Sequence, residues 1–514
     1  MVLDYIILAL YATAMVAVAL YTKNRSKSVN DFLLAGKKGL NGWMTAFSYG
    51  TTYFSAVIFI GYAGQFGRSF GLASVWIGIG NAIIGTLIAW LVLAKRTKNM
   101  TRRLGAKTMP EFFEKRYGSR NIKFVSAIII FIFLIPYSAS VYNGISSLFE
   151  IVFGIEGWIV MICLAFLTAL YLFFGGYFAS AISDFIQGII MIVGVICMIF
   201  CFMNHENVNW DISRIANDAN LTWFTFNSDK ASGLYGTTVS LISLILLTSL
   251  GVWALPQTVH KYYAVRDKKA ITQGIVVSTA FALIIGFVAY FTGALSAFFP
   301  ETAGVPDSQV IPTMLNIAIP AGLTGIIAVL ILSASMSTLS SVSLASASVI
   351  AVDMYKGYIK KEAKDKNVTL VMRLLCLTFV LISVIIAMLN EKFGIAAIAY
   401  MMGISWGTLA GCFIGPFVLG VVWKKVTKSA VWASIITSLT LTLTLIIVLG
   451  YDKSGWTCTF AEAIKSGVSC SPLIGVICML SSLVVTFVVS LVTKKPSDDI
   501  IYNAFSSPIE NEIK

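Results

Sequence analysis

Ser48-Tyr49-Gly50-Thr51-Thr52-Tyr53-Phe54-Ser55 puts a glycine, hydroxyls and aromatic rings into the middle of an apolar run spanning residues 42–66. About 20 mainly apolar residues make a helix that crosses a membrane, so this polar patch falls at mid-membrane depth. A second interruption, Gly251-Val252-Trp253-Ala254-Leu255-Pro256, falls inside the apolar run 237–262. Proline removes a backbone donor there. Carbonyls freed within lipid must find a partner or line a polar cavity. Interrupted helices at matching positions of two halves mark the binding site of a transporter. Ordinary packing kinks are the competing reading, since Gly and Pro are frequent in membrane helices.

The composition agrees with this setting. Of 514 residues, 58% are hydrophobic and 12% charged, against roughly 45–50% and about 25% in globular chains. Soluble multidomain, disordered, collagen-like and coiled-coil classes are excluded. So is a membrane β-barrel, which reads as short alternating segments. Thirteen apolar runs are predicted to span: 4–22, 42–66, 72–94, 121–149, 156–175, 179–203, 237–262, 270–299, 321–352, 368–389, 395–423, 428–450 and 471–493. The formal charge is +13, and thirty of the 37 Lys and Arg residues fall in 23–41, 95–123, 261–269, 353–366, 424–428 and 494–514. Arg373 adds to that side, and only six lie on the alternate side. Basic residues stay cytoplasmic, which predicts an outside amino end and a cytoplasmic carboxyl end. The charge therefore reads as orientation and not as nucleic-acid binding. Six of the 8 cysteines lie within spans, while Cys458 and Cys470 can pair only if their loop faces an oxidising side.

Asp184 is the acidic residue placed well inside a span, about five residues from the inner end of 179–203. A carboxylate in lipid is costly and marks a functional candidate that needs a partner; a snorkelling or capping role is the alternative. In the ninth span Ser337, Ser340 and Ser341 share one helical face by their i, i+3, i+4 spacing, with Thr338 one step around. Hydroxyls, carbonyls and one carboxylate suit a hard cation, although small residues also let membrane helices pack closely. Gly403-Ile404-Ser405-Trp406-Gly407 matches a hydrolase elbow by chance: it lies within an apolar helix, and the two histidines, His205 and His260, lie elsewhere. No catalytic constellation stands out, so an enzyme is not expected.

Three stretches resemble the sodium:solute symporter family. They are Thr108-Met109-Pro110-Glu111-Phe112-Phe113-Glu114-Lys115-Arg116-Tyr117; Gly175-Gly176 followed by Ser183-Asp184-Phe185-Ile186-Gln187-Gly188; and Ala334 to Ser341, with Asp353-Met354-Tyr355 closing the helix. The resemblance covers about residues 1–490. It implies an all-α fold of the leucine-transporter type, with a core of five plus five inverted-repeat helices. The expected divisions are 1–41 (first helix and loop), 42–203 (first repeat), 204–236 (outer loop), 237–423 (second repeat), 424–493 (two peripheral helices) and 494–514 (cytoplasmic tail). By that resemblance a first sodium site takes carbonyls of Thr51, Phe54 and Ala334 and hydroxyls of Ser337 and Thr338. A second takes Asp184, Ser337, Ser340 and Ser341, so two sodium ions are expected per cycle.

The solute is expected between the broken helices, lined by Tyr53, Ser55, Trp76, Asn81, Tyr137, Ser138, Thr248, Trp253, Gln257 and Trp406. Against the family pattern, Val57 and Ile58 replace the polar contacts of sugar-type members, and Tyr53 replaces the aspartate of proline-type members. No Lys or Arg is expected near the midplane. A many-hydroxyl sugar would leave hydrogen bonds unmet in so apolar a pocket. The expected function is sodium-coupled import of an amino acid or small organic acid by alternating access in the plasma membrane. A proton-coupled transporter of the same fold and a sugar or sialic-acid type symporter are the alternatives; a channel is a further class.

Overall fold

The computed structural model describes residues 2–23, 28–34, 36, 39–218, 221–224, 233–320, 322–394 and 396–506. Parts of the expected loops and tail (24–27, 225–232 and 507–514) lie outside them. Eleven stretches among the described residues are long and apolar enough to cross a membrane. Val57–Leu104 bends at Gly71 and holds the second half of a crossing begun at Gly42, then the whole of the next. Gly157–Asn204 has 48 residues, about 72 Å at 1.5 Å per residue and more than twice a ~30 Å hydrocarbon core. It makes two crossings. The expected crossings 156–175 and 179–203 are thus one helix bent at Gly176, with no loop between them. Gly176 has φ 58° and ψ −152°, a conformation available cheaply only to glycine. A Cβ there would lie 2.6 Å from the Phe32 ring.

Both interruptions are real breaks. The first helix, Gly42–Tyr53, is capped by Asn41, whose Oδ1 accepts the Met44 amide at 2.8 Å. It ends where Phe54 turns extended, and the chain resumes through a wide turn at Val57–Tyr62 into Ala63–Phe70. The second runs Thr237–Gly251, passes an extended Leu255 and restarts as Pro256–Ala264. Proline suits that first turn because its missing N–H has no intrahelical partner anyway. Across the gap, the Leu40 amide donates to Ala264 O at 2.9 Å and the Arg266 amide to Leu40 O at 3.0 Å. Two backbone hydrogen bonds thus join the start of one broken helix to the end of the other.

The serine-rich helix Thr324–Ser348 lies at the centre, almost wholly enclosed, against Gly157–Asn204, Arg120–Phe153 and Gly42–Tyr53. Large apolar side chains such as Phe166, Ile196, Leu443 and Val484 point outward, as a lipid-facing surface requires. Cys458 and Cys470 are free thiols.

The first family-like stretch forms a clasp at the expected inner end. Thr108 caps the helix Met109–Tyr117 and donates its hydroxyl to Asp353 Oδ2 at 2.6 Å. Lys123 Nζ lies 3.6 Å from Asp353 and 2.8 Å from Glu114. The Arg116 guanidinium donates to Gly420 O and Trp423 O, each at 3.0 Å. The tail helix Asp498–Phe505 docks here too, with Phe505 beneath Arg116 at 5.0 Å.

Candidate functional site

The first break leaves carbonyls at the end of Gly42–Tyr53 without i+4 donors. Two hydroxyls of the serine-rich helix reach them. Ser337 Oγ lies 3.0 Å from Thr51 O and 3.1 Å from its own Ala334 O. Thr338 Oγ1 lies 3.4 Å from both Thr51 O and Thr52 O. All these residues are buried, and Thr51 Oγ1 has no hydrogen-bond partner. Four of the five residues expected at the first sodium site therefore converge: Thr51, Ala334, Ser337 and Thr338. Phe54 sits at the break itself, in extended conformation. Oxygens of this kind are what a hard cation takes as ligands.

The residues expected at the second sodium site converge differently. Asp184 is fully buried, and its Oδ2 accepts from Ser48 Oγ at 2.5 Å and Ser180 Oγ at 3.4 Å. The same oxygen lies 3.5 Å from Lys261 Nζ. Lys261, 1% exposed, also donates to Ser48 Oγ at 2.8 Å and Ser341 Oγ at 2.9 Å. Its ammonium stands 5.1 Å from the Tyr177 ring centre, a favourable cation–π position. Ser340 bonds Ser180 at 3.1 Å, and Thr52 bonds Ser341 at 2.8 Å. The Ser337 hydroxyl points to the first cluster, and its carbonyl accepts from Ser340 Oγ at 2.8 Å. Two of the residues expected at the second sodium site, Asp184 and Ser341, thus contact a buried lysine.

Sequence reasoning placed Lys261 in the loop 261–269 and expected no deep basic residue. The break at 252–255 restarts the helix at Pro256 and carries it to Ala264, so Lys261 sits in its middle, buried. A signal existed. Asp184 lies five residues inside its span's inner end and needed a cation, and Lys261 lies at the same end of its own span. Ser48, Ser180 and Thr52 were also missed as partners.

A third cluster joins the two breaks. The Trp406 ring lies 6.0 Å from Tyr53 and 5.5 Å, edge-on, from Tyr137. A Cβ on Gly251 would touch Trp406 at 3.4 Å. The Tyr137 hydroxyl lies beside Ser55 and Thr338, next to the hydroxyl–carbonyl cluster. Trp406 Nε1, Tyr137 Oη, Ser138 Oγ and both polar atoms of Gln257 are buried without hydrogen-bond partners. Native structures leave few such groups, and each calls for a ligand, a water or an ion.

Other expected solute residues have structural duties. Tyr53 Oη donates to Thr248 O at 2.9 Å, and Thr248 Oγ1 donates to Asn81 Oδ1 at 2.6 Å. Trp253 Nε1 donates to Ile84 O at 3.0 Å. These contacts hold the second broken helix against Asn81–Ile88, while Ser55 accepts the Val57 amide at 3.2 Å. Trp76 is displaced from the group altogether: it is 37% exposed, stacks on Phe224 and donates to Trp223 O.

Two cavities flank the buried centre. One, of about 910 Å³, is lined by Lys98, Arg102, Lys107, Arg266 and Tyr263. The other, of about 450 Å³, is lined by Glu150, Asp307, Glu391 and Gln65. A pair of broken helices with an oxygen cluster at one break is the arrangement that marks a transporter's binding site.

Comparison with known proteins agrees. The chain is 28% identical to the osmoregulated proline transporter OpuE of Bacillus subtilis (strain 168), over 95% of each protein. It is 26% identical to sodium/proline symporter 2 of Staphylococcus saprophyticus, over 97% of this chain and 94% of that one. In structure it is similar to a Na⁺-coupled sialic acid symporter, at TM-score 0.77 and 17% identity over 96% and 99% of the two chains. The nucleobase-cation-symport-1 family transporter Mhp1 matches at TM-score 0.51 and 13% identity, covering 93% and 98%. The sodium:solute symporter family model matches residues 32–438, and with four-fifths of its length inside that match, this chain belongs to the sodium:solute symporter family.

Proposed function

We propose that this sodium-coupled symporter imports a small zwitterionic amino acid, with proline the first candidate, across the plasma membrane. The observation that carries the reading is the convergence of Ser337 and Thr338 on the Thr51 and Thr52 carbonyls, beside the unpartnered Tyr137 hydroxyl and the Trp406 ring packed against it; Ser138 and Gln257 are also buried with unpartnered polar atoms. A sodium ion held by carbonyls of Thr51, Phe54 and Ala334 and hydroxyls of Ser337 and Thr338 would replace the hydroxyl-to-carbonyl contacts by ion–oxygen ones. Because Tyr137 adjoins Thr338, ion and solute organise one shared wall, which is how binding of each favours the other.

The solute groups available there are neutral. Tyr137, Trp406 and the Gln257 amide supply donors for a carboxylate, and Gln257 Oε1 supplies an acceptor for an amino or imino group. Tyr53, Phe54 and the Trp406 ring supply an apolar wall. A sugar would need more partners than these four side chains offer. The names of the proline-transporting relatives support the same solute class.

The basic cavity at Lys98, Arg102, Lys107 and Arg266 would face the cytoplasm and the acidic one the outside, with the amino end outside. With Lys261 removed from the loop, thirty basic residues still mark the inner side. The test is uptake of radiolabelled L-proline into proteoliposomes under an inward sodium gradient at fixed pH. Saturable, concentrative uptake is expected with sodium and none with choline. Equal uptake in choline, or uptake driven by a proton gradient alone, would overturn the sodium reading; sodium-driven uptake of other amino acids only would move the solute.

A further inference from the structure

We infer that the Lys261 ammonium is a tethered substitute for a second coupling ion, so that the site around Asp184 never takes sodium in this chain. The inference rests on the sodium-coupled reading above and concerns how many ions it uses. A lysine ammonium carries one charge and three donors. Here all three directions are engaged, by Ser48 Oγ at 2.8 Å, Ser341 Oγ at 2.9 Å and Asp184 Oδ2 at 3.5 Å. Those oxygens come from three different segments: the first broken helix, the serine-rich helix and the far half of Gly157–Asn204. Lys261 brings in the fourth, the inner half of the second broken helix.

Charge balance makes ion and lysine mutually exclusive. One buried carboxylate neutralises one buried cation; a sodium ion added beside the ammonium would leave a net positive charge away from water, which is prohibitively costly. Geometry agrees, because Lys261 already holds Asp184 Oδ2 and Ser341 Oγ, two of the oxygens expected at that site. Nothing displaces the lysine outward either. Its stem is enclosed, with 1% of the residue exposed, and the Tyr177 ring closes one side. A diffusible ion contributes its gradient to each cycle, whereas a tethered one returns with the protein and contributes none. The lysine keeps the electrostatic joint between the four segments and removes one ion from the stoichiometry.

Equilibrium binding of ²²Na⁺ to the purified full-length chain tests this without reference to the solute. One ion per chain with a Hill coefficient near 1 is expected. Two ions per wild-type chain would overturn the inference while leaving sodium coupling intact; no sodium bound would overturn the coupling itself. Lys261→Ala, which leaves Asp184 uncompensated, is expected to raise the count to two and the Hill coefficient toward 2. The double variant Lys261→Ala/Asp184→Asn should return it to one. A Lys261→Ala protein that folds and still binds one ion would also overturn the inference, and the wild-type count decides if that variant fails to fold.

Discussion

At the scale of single residues, two hydroxyls and one phenol carry the sharpest expectations. Ser337→Ala removes the contact to Thr51 O at 3.0 Å. A lost hydroxyl ligand is worth about 1–2 kcal/mol, so the sodium concentration giving half-maximal uptake should rise roughly five- to thirtyfold. Thr338→Val should act in the same direction, and uptake measured against sodium concentration checks both. Tyr137→Phe removes one unpartnered hydroxyl beside that cluster. The half-saturating solute concentration should rise about three- to tenfold with maximal rate little changed. Trp76→Ala, on an exposed surface and paired to Trp223, should leave both constants within about twofold. A large effect there would mean that the outer loop contributes to the solute site.

At the scale of elements, the packing depends on close approaches and on one inner clasp. A Cβ on Gly67 would lie 2.2 Å from the Gly293 carbonyl carbon, and one on Gly293 would lie 2.0 Å from Ala63 O. Gly67→Ala should therefore destabilise the purified protein by about 1–3 kcal/mol through overpacking, read as a lowered melting temperature. Asp353→Asn leaves the Thr108 hydroxyl facing a neutral amide while Lys123 keeps Glu114 at 2.8 Å, so a loss of about 1–3 kcal/mol is expected, read the same way. The elements themselves were legible in the sequence because apolar length and the Gly and Pro interruptions are local signals. The approach of Ser337 and Thr338 hydroxyls to the broken helix was legible because hydroxyl spacing on one helix face is local too, and the resemblance supplied Thr51 and Ala334. Lys261 was not. Its depth depends on where a helix restarts after a break, and a hydropathy scan blurs that position by a turn. Trp76 failed for the opposite reason: an indole in an apolar run reads the same whether it faces the centre or the outer loop.

At the scale of the whole molecule, the number of ions sets how far solute can be concentrated. One charge crossing 100 mV is worth about 2.3 kcal/mol, and a tenfold sodium gradient adds about 1.4 kcal/mol. One ion per cycle thus limits accumulation to about 500-fold, where two would allow roughly 250,000-fold. Proteoliposomes poised at −100 mV with that gradient should level off near the lower value, and a plateau well above it would require a second ion. The backbone pairing of Leu40 with Ala264 and Arg266 has a further bearing on how such a cycle runs. It ties the start of Gly42–Tyr53 to the end of Pro256–Ala264 by two backbone hydrogen bonds. Those two half-helices are then expected to shift together when the carrier changes state.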